Sequence, residues 1–210
     1  ILPDGENSPG TGTITINDTT PTENQVLSVT HTVTDANGIA DGTLQIHWQF
    51  ESVPGTWTTF AEGASSGPLG DAVVGKALRV EITYVDGLGV LESVSSNATA
   101  AVRNVNDAPT GAPVLSPTAV TEGQAISVST ASIADADGLG TLRIRWQQSA
   151  LGGSGTWATI SGATSGSYTP GAAQVNRRIR AVVSWTDANG TAEQVASNAT
   201  SVVGDRWIGT

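Results

Sequence analysis

The chain contains no cysteine and no methionine among its 210 residues. Without cysteine, neither a disulfide framework nor a thiolate metal site can form. The absence of methionine, together with a start at ILPDG, indicates a fragment of a longer protein. We therefore draw no conclusion about location from the lack of a signal peptide.

Long hydrophobic runs and positive charge are also scarce. No stretch approaches the roughly 18 apolar residues that a membrane span requires. Nine Lys and Arg side chains stand against 19 Asp and Glu, a formal net charge of −10. Because nucleic acids and anionic membranes need clustered cationic side chains, we expect no nucleic-acid partner and no membrane insertion. An acidic surface can bind Ca²⁺ through carboxylates, or it can serve solubility alone.

Residues that favour β-strands and turns are abundant. The chain has 25 glycines and is rich in Thr, Ser and Val. Gly and Ser favour turns, whereas Thr and Val favour strands. Leu44, Ile46 and Trp48 alternate with polar residues, as expected of a strand with one buried face. No convincing amphipathic helix is present, although the segments GDAVVGK and GAAQVNR are each compatible with a single helical turn.

The sequence contains an internal repeat. The segments GTW, TLQIHWQ, DANG, SNAT and TEN-Q of the first half have counterparts in the same order in the second half, at GTW, TLRIRWQ, DADG, SNAT and TEGQ. Every pair is offset by about 100 residues, and composition bias cannot produce such colinearity. The chain is therefore two copies of one module.

Each copy predicts about seven short strands, which is typical of an immunoglobulin-like sandwich. The predicted fold class is all-β, with two tandem immunoglobulin-like (cadherin-like) β-sandwich domains whose cores contain Trp48 and Trp146. The predicted organisation is an N-terminal tail (1–12), domain 1 (13–105), a linker (106–112), domain 2 (113–203) and a C-terminal tail (204–210).

Several motifs of the second copy, GTW-x-x-I, GAT-S-x-S-Y-T-P and RIRAVVSWTDANGTAE, resemble the bacterial Ig-like repeats found in tandem in very large secreted proteins. The resemblance implies a non-catalytic spacer or adhesive segment of an extracellular or cell-surface bacterial protein. It implies neighbouring Ig-like modules of the same chain as partners, and a cell-surface protein or glycan as a further candidate. The tail GDRWIGT resembles the lead-in to the glycine-rich calcium-binding arrays of RTX-type adhesins.

The segment NVNDAP at 104–109 is similar to the linker that binds Ca²⁺ between consecutive cadherin domains, and DADG and TDANG are similar to the motifs that the following domain contributes. The loop order of a Greek-key sandwich would place these motifs beside the linker, together with two carboxylates of the first copy. The candidate Ca²⁺ ligands are Glu23, Asp71, Asn104, Asn106, Asp107, Asp135, Asp137 and Asp187. The alternative is a dry linker stiffened by proline, because Asp-Gly and Asn-Gly turns are ordinary loop chemistry.

The sequence offers no catalytic constellation. It has two histidines, and at the positions of His31 and His47 the second copy has approximately Thr130 and Arg145. Residues exchanged so freely between copies do not indicate catalysis, so we expect no enzymatic activity from this chain.

Trp57 and Trp157 both follow a Gly-Thr turn and are expected to point away from the core. Exposed tryptophans can stack on a sugar ring or anchor a protein partner, whereas their repetition in both copies favours a role in covering the sheet edge. Two alternatives to the spacer function remain open. One is an adhesin module that binds a glycan or protein, and the other is an accessory segment of a secreted enzyme.

Overall fold

The structure is a computed structural model that describes residues 5–206. The chain divides into two compact units, residues 1–105 and 106–210. Among the described residues no helix is long and apolar enough to cross a membrane.

Unit 1 is a sandwich of two antiparallel sheets. Over residues 5–105 its strands are β1 (Ile14–Ile16), β2 (Val26–His31), β3 (Gln45–Val53), β4 (Thr56–Glu62), β5 (Ser65–Pro68), β6 (Leu78–Val85) and β7 (Leu91–Ser95). One sheet has the order β1-β2-β5 and the other the order β4-β3-β6-β7. A single 3₁₀ turn, Asp71–Val73, lies in the segment GDAVVGK, as predicted.

Unit 2 repeats this arrangement. Over residues 106–206 its strands are β8 (Val114–Ser116), β9 (Ile126–Ser129), β10 (Arg143–Ser149), β11 (Trp157–Thr159), β12 (Ser167–Tyr168), β13 (Ile179–Thr186) and β14 (Ala192–Ala196). The sheet orders are β12-β9-β8 and β11-β10-β13-β14. 3₁₀ turns occur at Leu151–Gly153 and Ala172–Gln174. The predicted fold class is thus confirmed: the chain consists of two immunoglobulin-like β-sandwich units.

Each unit has its own core, in which one tryptophan is fully buried. Unit 2 has a second buried cluster, made by Ile133, Val183 and Trp185. Trp48 and Trp146 are fully buried, and their indole N–H groups donate to the carbonyls of Gly63 at 3.1 Å and Ser165 at 2.8 Å. Each core also includes apolar residues from the opposite sheet, such as Leu27 in unit 1. Burying a large apolar side chain contributes roughly 1.5–3 kcal/mol, so the repeated inward positions account for two separate cores.

The repeated SNAT segments have a structural explanation. In unit 1 the hydroxyl of Ser96 accepts the backbone N–H of Val80 at 2.9 Å, and the hydroxyl of Thr99 accepts that of Leu78 at 3.0 Å. In unit 2 Ser197 and Thr200 do the same for the β13 backbone. These hydroxyls accept the hydrogen bonds that the carbonyls of a neighbouring strand would otherwise accept. They are needed because a buried N–H without an acceptor costs free energy.

The segments predicted as linker and tail take part in unit 2. Thr110 forms a β-bridge with Ala134, and Gly204 forms one with Thr121. The predicted glycine-rich lead-in falls partly on 207–210, and the predicted N-terminal tail partly on 1–4. Both of these ranges lie outside the described residues.

Candidate functional site

Carboxylates gather at the end of unit 2 where the chain enters. Asp137, which lies between β9 and β10, is almost fully buried. One of its carboxylate oxygens accepts the backbone N–H of Asp107 at 2.7 Å, and the other accepts the side-chain amide of Asn189 at 3.0 Å. Asp137 thereby ties the incoming chain to the turn that joins β13 and β14.

Asp187 has the most unusual environment of this group. It is 6% exposed, and its Oδ1 accepts the backbone N–H groups of Asn189 and Thr191 at 2.9 and 2.7 Å. Its Oδ2 is buried and has no hydrogen-bond partner among the described residues. A buried carboxylate oxygen without a donor costs free energy, and a cation in contact with it would remove that cost.

Two further predicted ligands hold the loops in place. Asp135 accepts the backbone N–H of Asp137 at 3.1 Å and the indole N–H of Trp185 at 2.9 Å. Asn106 donates its amide to Glu193 at 2.9 Å. Sequence reasoning missed Glu193, because its contact with Asn106 joins residues 87 positions apart.

The corresponding end of unit 1 has the same framework with less charge. Asn37 occupies the position of Asp137 and accepts the backbone N–H of Ser8 at 2.8 Å. Asn7 donates to Glu92 at 2.7 Å, as Asn106 does to Glu193. Asp86 is 1% exposed, and its Oδ2 is also buried without a partner among the described residues.

The remaining predicted ligands belong to the C-terminal end of unit 1. Glu23 is buried, and one of its carboxylate oxygens accepts the backbone N–H of Val105 at 3.1 Å. The side-chain oxygen of Asn104 is buried without a hydrogen-bond partner among the described residues. Asp71 is exposed at the start of a 3₁₀ turn. That these side chains and those of unit 2 bind one ion together stays a prediction.

The two tryptophans of the GTW segments lie half-buried on their sheets. The guanidinium of Arg79 lies 4.5 Å from the ring centroid of Trp57, and that of Arg180 lies 4.2 Å from the ring centroid of Trp157. Each arginine covers one face of its indole in a cation–π contact. The role of these tryptophans in binding a ligand stays a prediction.

The histidines occupy unremarkable positions. His47 contacts the hydroxyl of Thr83 at 3.1 Å and lies 3.8 Å from a carboxylate oxygen of Glu62. All three residues lie on strands of one sheet. His31 is exposed at the end of β2.

A family model described as a domain of unknown function (DUF8696) matches residues 115–204, a segment within unit 2. No curated protein sequence matches the chain.

Three solved structures that resemble the chain are distant from it in sequence. Fibronectin(III)-like modules of CbhA from Clostridium thermocellum show 15% identity over 94% of this chain and 97% of that chain, with a TM-score of 0.29. A tetra-tandem repeat from the extending region of a large adhesion protein shows 20% identity, covering 92% of this chain and 50% of that chain, with a TM-score of 0.33. Three N-terminal domains of the Highly Immunogenic Outer Capsid protein of bacteriophage RB49 show 12% identity, covering 93% and 70%, with a TM-score of 0.33. Because these scores are low, the fold class rests on the strand order of the chain itself.

Proposed function

We propose that the chain is a pair of structural repeat modules of a large extracellular adhesion-type bacterial protein, acting as a spacer or adhesive segment and not as an enzyme. The observation that carries this proposal is that the segment preceding the first strand docks in the same way in both units. Asn7 binds Glu92 in unit 1, and Asn106 binds Glu193 in unit 2.

The same docking continues along the chain. Thr11 forms a β-bridge with Thr34 in unit 1, and Thr110 forms one with Ala134 in unit 2. A module with a built-in attachment for the incoming chain suits a tandem array, because a pull along the chain then meets hydrogen-bonded residues at the start of each unit. This repetition is explained by serial linkage and needs no catalytic role.

Single-molecule force spectroscopy on the full chain tests the spacer function. We expect two separate unfolding events, each adding about 30 nm of contour length, because roughly 100 residues extend to about 33–36 nm and the folded unit already spans a few nanometres of this length. A single event, or extension without force peaks, would contradict the proposal.

We further propose that the N-terminal end of unit 2 binds Ca²⁺. The donor set consists of oxygens only, which is the preference of Ca²⁺, and the ion takes about 6–8 of them. The buried, unpartnered Oδ2 of Asp187 supports this assignment. The carboxylates of Asp107 and Asp137, which have oxygens within 4.8 Å of each other, would supply further ligands. Binding there would hold the incoming chain against the β13–β14 turn.

A calcium titration followed by calorimetry tests this site. We expect millimolar Ca²⁺ to raise the melting temperature of unit 2 by several degrees, because a ligand that binds only the folded state stabilises it. Asp187→Asn should abolish most of this rise, since it removes the charge while keeping the oxygen that accepts the backbone N–H groups.

The matched control is Asp86→Asn in unit 1. Because Asn37 replaces one carboxylate there, we expect unit 1 to respond weakly to Ca²⁺ with or without this substitution. The calcium proposal is wrong if neither melting transition shifts, or if the Asp187→Asn variant responds like the original chain.

A further inference from the structure

The outer face of the four-stranded sheet of unit 2 is rich in arginine. Along β10, Trp146 points into the core, whereas Arg143, Arg145 and Gln147 occupy the outward positions. On the neighbouring strand β13, Arg180 pairs with Gln147 and Val182 pairs with Arg145. We call the outward residues of these strands and of β14 the arginine face: Arg143, Arg145, Gln147, Arg180, Ser184 and Gln194.

Two arginines of this face have neutral hydrogen-bond partners. Arg145 donates to the side-chain oxygen of Gln194, and Arg180 donates to that of Gln147 at 2.8 Å while stacking on Trp157. The ion pairs found within residues 5–206 both lie in unit 1, so none involves this face. Burial and, to a lesser extent, the nearby charge of Arg145 lower the pKa of Arg180, because both disfavour the charged form of the guanidinium.

In unit 1 the basic side chains at the corresponding positions lie beside carboxylates. Arg79, the counterpart of Arg180, lies 3.7 Å from one carboxylate oxygen of Glu81. The other oxygen of Glu81 accepts the side-chain amide of Gln49 at 2.9 Å. His47, the counterpart of Arg145, lies beside Glu62. In unit 2, Val182 stands where unit 1 has Glu81.

The difference extends to each unit as a whole. Residues 1–105 contain twelve Asp and Glu against three Lys and Arg, whereas residues 106–210 contain seven against six. Because the two units share one fold, the fold itself does not require the arginine face.

We propose that the arginine face binds an anionic polysaccharide, a sugar chain carrying carboxylate or sulfate groups. Guanidinium groups bind such anions through paired hydrogen bonds. Beside them lies a depression of about 480 Å³, whose lining includes Arg143, Arg145, Ser184 and Gln194. Glu193 also lines it, and its carboxylate accepts the side-chain amide of Asn106. The hydroxyl and amide groups of the depression suit the hydroxyls of a sugar ring.

The chemistry of the face favours a sugar chain over a protein partner. Protein interfaces centre on a buried apolar core, but the exposed large hydrophobic residues described in unit 2 are Val114, Leu139 and Leu151, none of which lies on this face. Val182, the aliphatic residue of β13 that pairs with Arg145, is only 4% exposed. This inference does not depend on calcium or on the spacer function.

Binding of the full chain to polygalacturonate and to heparin, measured by calorimetry in the presence of EDTA, tests the proposal. Neutral dextran is the control polymer. We expect binding to one or both anionic polymers, none to dextran, and weakening at high ionic strength because salt screens exposed charges.

Val182→Glu is the decisive variant because it copies Glu81 of unit 1 into the same position of the same fold. We expect it to weaken binding by at least about tenfold. Arg79→Gln, which removes the unit 1 counterpart of Arg180, should leave binding unchanged. If Val182→Glu lowers the melting temperature of unit 2, the double variant Arg143→Gln, Arg145→Gln serves instead, since it changes outward-facing residues.

Three outcomes would overturn the proposal: no binding to either anionic polymer at low ionic strength, equal binding to dextran, or unchanged binding by the arginine-face variants. A salt-sensitive self-association of the chain that Val182→Glu abolishes would also overturn it, by making this face a protein interface. None of these results bears on the force or calcium measurements.

Discussion

At the residue scale, the two units bury different aromatic side chains at one equivalent position. The hydroxyl of Tyr84 donates to Asp35 at 2.9 Å, and at the corresponding place the indole of Trp185 donates to Asp135 at 2.9 Å. Both aromatic residues are buried, so each polar tip needs an acceptor. One aspartate in the loop supplies it in both units.

This exchange gives the two units a different response to high pH. Burial, and then the hydrogen bond to Asp35, raise the pKa of Tyr84 to about 12, whereas Trp185 does not ionise. Below the unfolded pKa of about 10, Tyr84 is protonated in both states. Between about pH 10 and 12 the unfolded chain releases the proton first, so stability falls as the pH rises.

We expect unit 1 to lose about 2 kcal/mol of unfolding free energy over this interval on account of Tyr84. Tyr84→Phe should lack this loss, although it is less stable than the original chain at neutral pH because Asp35 loses a donor. Scanning calorimetry at pH 8 and above pH 11 measures the difference. A Tyr84→Phe variant whose pH profile parallels that of the original chain would show that the tyrosine does not contribute.

At the scale of elements, the incoming segments require glycine where they cross a neighbouring loop. Gly111 has a φ of +72°, and a Cβ there would collide with the backbone carbonyl of Ser132. Gly12 of unit 1, with a φ of +124°, would collide with the carbonyl of Thr32 in the same manner. These positions combine a left-handed backbone with close approach of two chains, which only glycine permits.

Gly111→Ala therefore should destabilise unit 2 by distinctly more than the roughly 1–2 kcal/mol that a left-handed backbone costs by itself. Gly162→Ala is the matched control, since it has a φ of +74° but nothing within 4 Å of the added Cβ. Urea denaturation of both variants measures the two losses. Equal losses would mean that the contact with Ser132 relaxes without cost.

The elements also show where prediction from sequence succeeds. The strands β3, β6, β10 and β13 follow the alternation of apolar and polar residues, and their inward residues form the cores. Alternation was less informative on the outer faces. Gln49 occupies an outward position but is only 7% exposed, because Arg79 and Glu81 from the neighbouring strand cover it.

At the scale of the whole molecule, each unit has its own core, so damage to one core should leave the other intact. In the force experiment, Trp48→Ala should remove one of the two unfolding events, since truncation of a buried tryptophan costs about 3–5 kcal/mol. The event of unit 2 should persist at its original force. Loss of both events would contradict the independence of the two cores.

The candidate sites were only partly within reach of sequence reasoning. The motifs NVNDAP, DADG and TDANG led to the prediction of Asp107, Asp137 and Asp187 as ligands through their resemblance to cadherin calcium motifs, and their binding of Ca²⁺ stays a prediction. The participation of Glu193 was not predicted, since its contact with Asn106 joins residues 87 positions apart. The unpartnered oxygen of Asp187 was equally out of reach, because it depends on what surrounds the side chain.

The sequence by itself determined the duplication, the strand alternation and the position of both core tryptophans, because each of these is a matter of spacing along the chain. Tertiary structure alone decided which polar groups find partners. The arginine face shows the reason. Arg145 and Arg180 lie 35 positions apart in the sequence, and they become neighbours only because β10 pairs with β13. Beside them on β13 lies Val182, where unit 1 has the carboxylate of Glu81.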